Sequence, residues 1–423
     1  MKAMRQGDEG TRRLLLSVLV LVSPGMLSAQ TIAITGGTVY PVSGPRIERG
    51  TVLIQNGRVA AVGANVTIPA GAVRVDATGK WVTPGLIHAG AGVGLNVSGL
   101  GGFSERGVQG DVTPSFSPAE GFNPAEPEIA VTRTGGITTG VMAPSGAFMP
   151  GRAIAVDLAG DRLEDMVISP GVALIVNLGG QSRNAGGGSR AGTMALIRRL
   201  FADAQEYDRR RADYRRDQIQ ELAAPARELE ALLPALRRET PVVINASREM
   251  DIRNALRLVG EFRLRAVLAG ASEGWKVAAE IAQAGVPVAL NPTQDIPSFE
   301  GLGARLDNAT LLREAGVEVI IAAGDGGGER GLRYQAGNAV RNGMSWDDAL
   351  RSITLAPATA FGLGDRYGSL EAGKVANVVI WSGDPLDFVG FPEKVYVRGA
   401  ETSLRTRETE LLERYRQLPV VYR

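Results

Sequence analysis

Seven short apolar runs recur along the middle of this 423-residue chain, alternating with stretches of helical periodicity. They read GLIHA (85–89), GITTGVMA (136–143), VALIVNL (172–178), PVVINA (241–246), LRAVLA (264–269), VPVALN (286–291) and VEVIIAA (317–323). Strands that alternate with helices build a parallel sheet with the helices outside. An eighth strand in RAIAVDLAG (152–160) would let that sheet close into a barrel, although spacing alone leaves open and closed forms both standing. The helical stretches include RAGTMALIRRLFADAQEYDRRRADY and DQIQELAAPARELEALLPALRR. In the second, Ile219, Leu222, Ala226, Leu229, Leu233 and Leu236 fall three or four apart and form one stripe.

Two strand-rich blocks flank this middle. In the first, Asn56-Gly57 separates two apolar runs, a strong signal for a tight hairpin. TIAITGGTVY before it reads as a strand pair around Gly36-Gly37. The second block spans 367–399, and the two together suggest one small β domain assembled from both ends of the chain. Gly, Pro and Ser recur over 94–128 and glycine over 179–192, so both read as long loops. Loops of that length in a compact domain are usually functional lids or interaction segments, or disordered.

Lys and Arg total 46 against 45 for Asp and Glu, a net charge of +1 that gives no electrostatic case for nucleic acid. A net basic start, the apolar run LLLSVLVLV (14–22), the breakers Pro24 and Gly25, and Ala29 at a cleavage point read as an export signal over 1–29. Nine apolar residues fall short of the roughly 20 that span a bilayer. The expectation is a periplasmic or secreted protein with no stable membrane span, by either the general or the twin-arginine route. The chain has no cysteine and one histidine, His88. Disulfide, thiolate-ligand and catalytic-thiol chemistry are therefore excluded.

VTPGLI (82–87), entering the first middle strand, and GMSWDDALRSITLAPATAFGLGDRYGSLEAGKVANVVIWSGDPL (343–386) resemble the amidohydrolase superfamily, in its secreted, imidazolonepropionase-like branch. The resemblance covers about 31–399. It implies an α/β fold: a distorted (β/α)8 TIM-like barrel over 81–365, with a small β-sandwich from 30–80 plus 366–400. A helical tail would follow over 401–423. It also implies a zinc or other divalent metal held by histidines. The family's paired histidines on the first strand fall on Gly90 and Gly92, and two later ones on Asn245 and Gly270. Asp325 stands where the family has its general base, and His88 where it has an aspartate. His88, counted back by twos from 90 and 92, should share their inward face. A hydrogen-bonded interior or rim histidine is its plainer reading.

Borderline metals are held by imidazole or thiolate with a few carboxylates. One histidine and no cysteine cannot supply that set, so no metal site and no cofactor are expected. Asp251, Glu273 and Asp295 follow strands and could face the same mouth, as a hard-cation site or as scattered surface carboxylates. A Ser-His-Asp arrangement would need His88 with Ser247 or Ser272 and Asp325, and no G-x-S-x-G elbow supports it. The expectation is an exported amidohydrolase-fold protein acting as a non-catalytic subunit or ligand-binding pseudoenzyme. Its pocket would lie near Gly90, Gly92, Asn245 and Gly270, with Asp325 and His88 as catalytic remnants, Asp325 as a vestigial base. Its partner would be a homologous amidohydrolase subunit or a second copy. The alternative is a hydrolase of C–N bonds with a non-standard site.

Overall fold

Residues 30–95, 104–214, 216, 222–322 and 329–416 are described by the computed structural model. The export-type segment and Asp325 lie outside the described residues. The first strand block forms β1 (Ile32–Val39), β2 (Ile47–Gln55), β3 (Arg58–Gly63), β4 (Val73–Asp76) and β5 (Trp81–Pro84). The barrel strands are β6 (Leu86–Ala89), β7 (Ile137–Met142), β8 (Gly151–Asp157), β9 (Val167–Asn177), β10 (Val242–Ala246), β11 (Ala266–Gly270), β12 (Val288–Leu290) and β13 (Val319–Ile321). The chain closes with β14 (Val378–Trp381), β15 (Pro392–Val397), β16 (Ala400–Thr402) and a helix, Arg407–Arg416, with no buried residue.

Both chain ends share one sheet, ordered β16-β15-β14-β5-β1-β2-β3, with β4 also beside β1. Asn56 and Gly57 take positive φ of 51° and 73°, as the tight β2–β3 hairpin requires. The expected strand pair at TIAITGGTVY is instead one strand. β2 pairs along both halves of β1, and Gly36 (φ 83°) absorbs an irregular register between Thr35 and Gly37.

The second sheet runs β13-β12-β11-β10-β9-β8-β7-β6. All its ladders are parallel except those of β8, which lies antiparallel between β7 and β9. Its outward residues, such as Leu86, Ile244 and Leu268, join the large core beneath the helices. The inward ones, such as Ile87, Ile175 and Val267, pack with Ala356, Ala358, Phe361, Leu363 and Tyr367 from the segment before β14. That segment fills the lower barrel, and the Ile87 amide bonds to the Ile353 carbonyl at 2.8 Å.

Of the stripe read over 217–238, Ile219 lies outside the described residues, and Ala226–Leu236 is a helix with Leu229 and Leu233 buried. Pro225 lacks an N–H and starts the helix, which leaves Leu222 outside it. Among the described residues no helix is long and apolar enough to cross a membrane.

Candidate functional site

The barrel strands end in a cavity of about 850 Å³. This is the catalytic end of such barrels, where loops after the strands gather side chains from distant parts of the chain. The lower wall is apolar, formed by Val141, Ala153, Ile175, Val243, Val267, Ala289 and Phe361. Above it lie Asn177 and Asn245, the last inward residues of neighbouring strands. Asn245 Nδ2 donates to Asn177 Oδ1 at 2.6 Å, and Asn177 Nδ2 donates to the Gly146 carbonyl at 2.9 Å. Ser145 and Ser247 add hydroxyls, and Arg106, Arg183 and Glu300 supply the charged groups of the lining.

Glu300 belongs to the long connection after β12 and is the hub of a clasp across the mouth. Its carboxylate accepts from Arg183 Nη2 at 3.2 Å and from Arg190 Nη2, with Arg248 Nε 3.7 Å away. Arg190 also donates to Asp251 at 2.9 Å, and Arg248 to the Phe299 carbonyl at 2.6 Å. The clasp thus ties the loop after β9 to the loop after β12.

Gly90, Asn245 and Gly270 all line this cavity, so three of the four expected pocket positions converge. Gly90 has φ 102°, and a methyl group added there would meet nothing within 4 Å. Gly92 does not line it; its buried amide donates to Glu329 Oε1. His88 is fully buried and also absent from the lining. The expected inward parity of His88 is corrected. Ile87 and Ala89 face the barrel interior, and His88 pairs across the ladder with Gly140, whose missing Cβ would meet Met142, Ala91 and Val156. His88 therefore lies on the helix side. The physical reason is a break in the strand's alternation: the amides of Gly90 and Ala91 both bond to the Val141 carbonyl, at 2.8 and 3.0 Å. Counting by twos across that break selects the wrong face.

The three carboxylates considered for the mouth are engaged separately. Asp251 is held by Arg190, yet burial outweighs that pairing and raises its pKa. Burial also acts on Glu273, but the Glu249 amide, Lys276 and the Gly303 amide outweigh it and hold its carboxyl below the usual range. Asp295 is pushed up to about 6 by burial, against hydrogen bonds from Asn308 and Ser272. Among the described residues no three His, Cys, Asp or Glu side chains gather to hold a metal ion. Ser247 lines the cavity while His88 lies on the opposite strand face, so those two are not brought together.

Sequence reasoning passed over Asn177, Arg183 and Glu300. Asn177 carried a signal, being the one polar residue of VALIVNL. Arg183 sits in the glycine-rich 179–192 loop, whose length did point to function.

Comparison with known proteins accords with this architecture. Residues 304–406 match the profile of the Amidohydrolase family. The amidohydrolase tasK of Hapsidospora irregularis is 24% identical over 387 residues, covering 83% of this chain and 39% of its own length. An imidazolonepropionase of Pseudomonas putida is 42% identical over 66 residues, 14% of this chain and 16% of that protein. The chain thus spans well under half the length of these curated relatives. Among solved structures, an amidohydrolase from Thermotoga maritima MSB8 has 28% identity and a TM-score of 0.80, covering 88% of this chain and 100% of that one. A prolidase complexed with N-methylphosphonate-L-proline shares the fold at 17% identity and a TM-score of 0.56, covering 88% of this chain and 100% of that one.

Proposed function

We propose that this amidohydrolase-fold protein works without the metal chemistry of its relatives, as an exported ligand-binding protein or a non-catalytic subunit beside a histidine-bearing relative. The observation that carries this reading is the chemistry of the strand ends around the cavity. Gly90 and Gly270 offer no side-chain donor, and Asn177 and Asn245 offer carboxamides bonded to each other. Among the described residues the lining has one carboxylate, Glu300, and it is already shared among arginines. Such a set does not fit a zinc-type ion, which wants imidazole, thiolate or uncommitted carboxylate. Export rests on the 14–22 apolar run and its breakers.

Native mass spectrometry of the mature chain, purified gently from its own compartment, tests this directly. The expected result is a metal-free chain, bound to a small ligand or held in a fixed complex with a related subunit. One or two stoichiometric divalent ions on the isolated chain, together with amide hydrolysis, would overturn the reading.

The second reading, hydrolysis of C–N bonds by a non-standard site, is favoured by one feature: a cavity of about 850 Å³ remains at the end of the barrel where chemistry is done. It requires that Asp325→Asn abolish activity while the thermal unfolding of the protein stays unchanged.

A further inference from the structure

The lining of the cavity changes character with depth. Its strand-borne residues are apolar or carboxamide, and its charged residues all come from the loops above. Three guanidinium groups, those of Arg183, Arg190 and Arg248, converge there on one carboxylate. The share of Arg183 in that pairing is small: one contact, through Nη2 at 3.2 Å. Its Nε is buried and has no hydrogen-bond partner. A guanidinium presents a rigid fork suited to two parallel bonds with a carboxylate, and the Arg183 side chain is 41% exposed, so its Nη1–Nη2 edge, engaged only through Nη2, is the part offered at the cavity wall.

Building on the binding role proposed above, we propose that the cavity takes a small amphipathic carboxylate. Its apolar body would lie against Val141, Ile175, Val243, Val267 and Phe361, and its carboxylate would accept from Arg183. A cationic ligand fits poorly, because the one acidic group of the lining among the described residues is committed to arginines. A neutral amide would have to compete with the Asn245–Asn177 bond for donors and acceptors. The volume lies within the range of cavities that enclose small organic ligands, whose linings are mostly apolar with a few placed polar groups.

Isothermal titration calorimetry of the whole mature chain with octanoate, cinnamate, octanamide and octylamine tests the assignment. The carboxylates should bind about tenfold or more tighter than octanamide, and octylamine should bind weakest, in keeping with charge-assisted pairing. Arg183→Gln should remove the preference of octanoate over octanamide and leave the affinity for octanamide in place. Ala269→Phe, which fills the cavity wall, should weaken both, and Arg183→Gln keeps the test intact if that variant fails to fold. Equal affinities for octanoate and octanamide, an unchanged preference in Arg183→Gln, or tighter binding of the amine would each overturn the inference. Failure of every probe in a chain that is found complexed with a related subunit overturns the inference and leaves the subunit reading standing. Tight carboxylate binding by a chain that also hydrolyses amides does the reverse.

Discussion

Asp295 is 3% exposed in the connection after β12, and burial lifts its pKa from the usual 3.8 to about 6. A carboxyl whose pKa is higher folded than unfolded favours the native state while it is protonated. Its contribution is therefore fully present below about pH 4 and is lost as pH rises through 6. The shift corresponds to about 3 kcal/mol. Asp295→Asn cannot ionise and should remove that dependence. Melting curves from pH 4 to 7.5 should show the variant gaining on the native protein as pH rises, and parallel curves would refute the assignment. Little of this could be read from the sequence. Asp251, Glu273 and Asp295 looked equivalent there, each just after a strand, because burial and partner are set by loops that meet only in the folded chain. His88 misled for a related reason: Gly90 and Ala91, just past the end of β6, break the alternation on which face assignments depend.

The strands were the most readable elements, since barrel strands buried on both faces must be continuously apolar. Their direction was not readable. RAIAVDLAG became a strand as expected, but it runs antiparallel, which apolar content does not specify. Its last residue, Asp157, is buried in a polar network that joins three parts of the chain. It accepts from Thr139 at 3.0 Å on β7, from Asn377 at 3.0 Å just before β14, and from Tyr367 at 3.1 Å in the segment that fills the lower barrel. Asn377 also accepts from the Arg398 amide at 2.8 Å. Asn377→Ala would remove one of three donors to the carboxylate and leave that amide without its acceptor, at a cost of about 2–3 kcal/mol. Urea unfolding should show a lower midpoint with an unchanged slope. A shift under about 0.5 kcal/mol would mean that the network contributes little.

For the molecule as a whole, the flanking strand blocks correctly announced a sheet shared by both chain ends. The pairing itself was not encoded locally, because β5 meets β14 across the entire barrel sequence. Their register sets Trp81 opposite Trp381, and Trp381 is fully buried with Nε1 donating to Thr83 Oγ1 at 2.8 Å. A chain ending before Val378 would lack β14 and the strands beyond it. It should remain protease-sensitive over β1–β5 and show fast amide exchange there. Protection equal to that of the full chain would mean that the N-terminal strands form a stable sheet unaided.

That shared sheet also bears on how the protein is made. A ribosome releases β1 to β5 well before β14, the strand that completes their edge, because the whole barrel sequence lies between them. Throughout that interval β5 offers unpaired backbone to any neighbouring chain, which is how edge-to-edge aggregation begins. A sheet completed by β14 cannot close before the barrel sequence has been made. The yield of folded protein should therefore depend on how well β5 avoids other chains until β14 has been made.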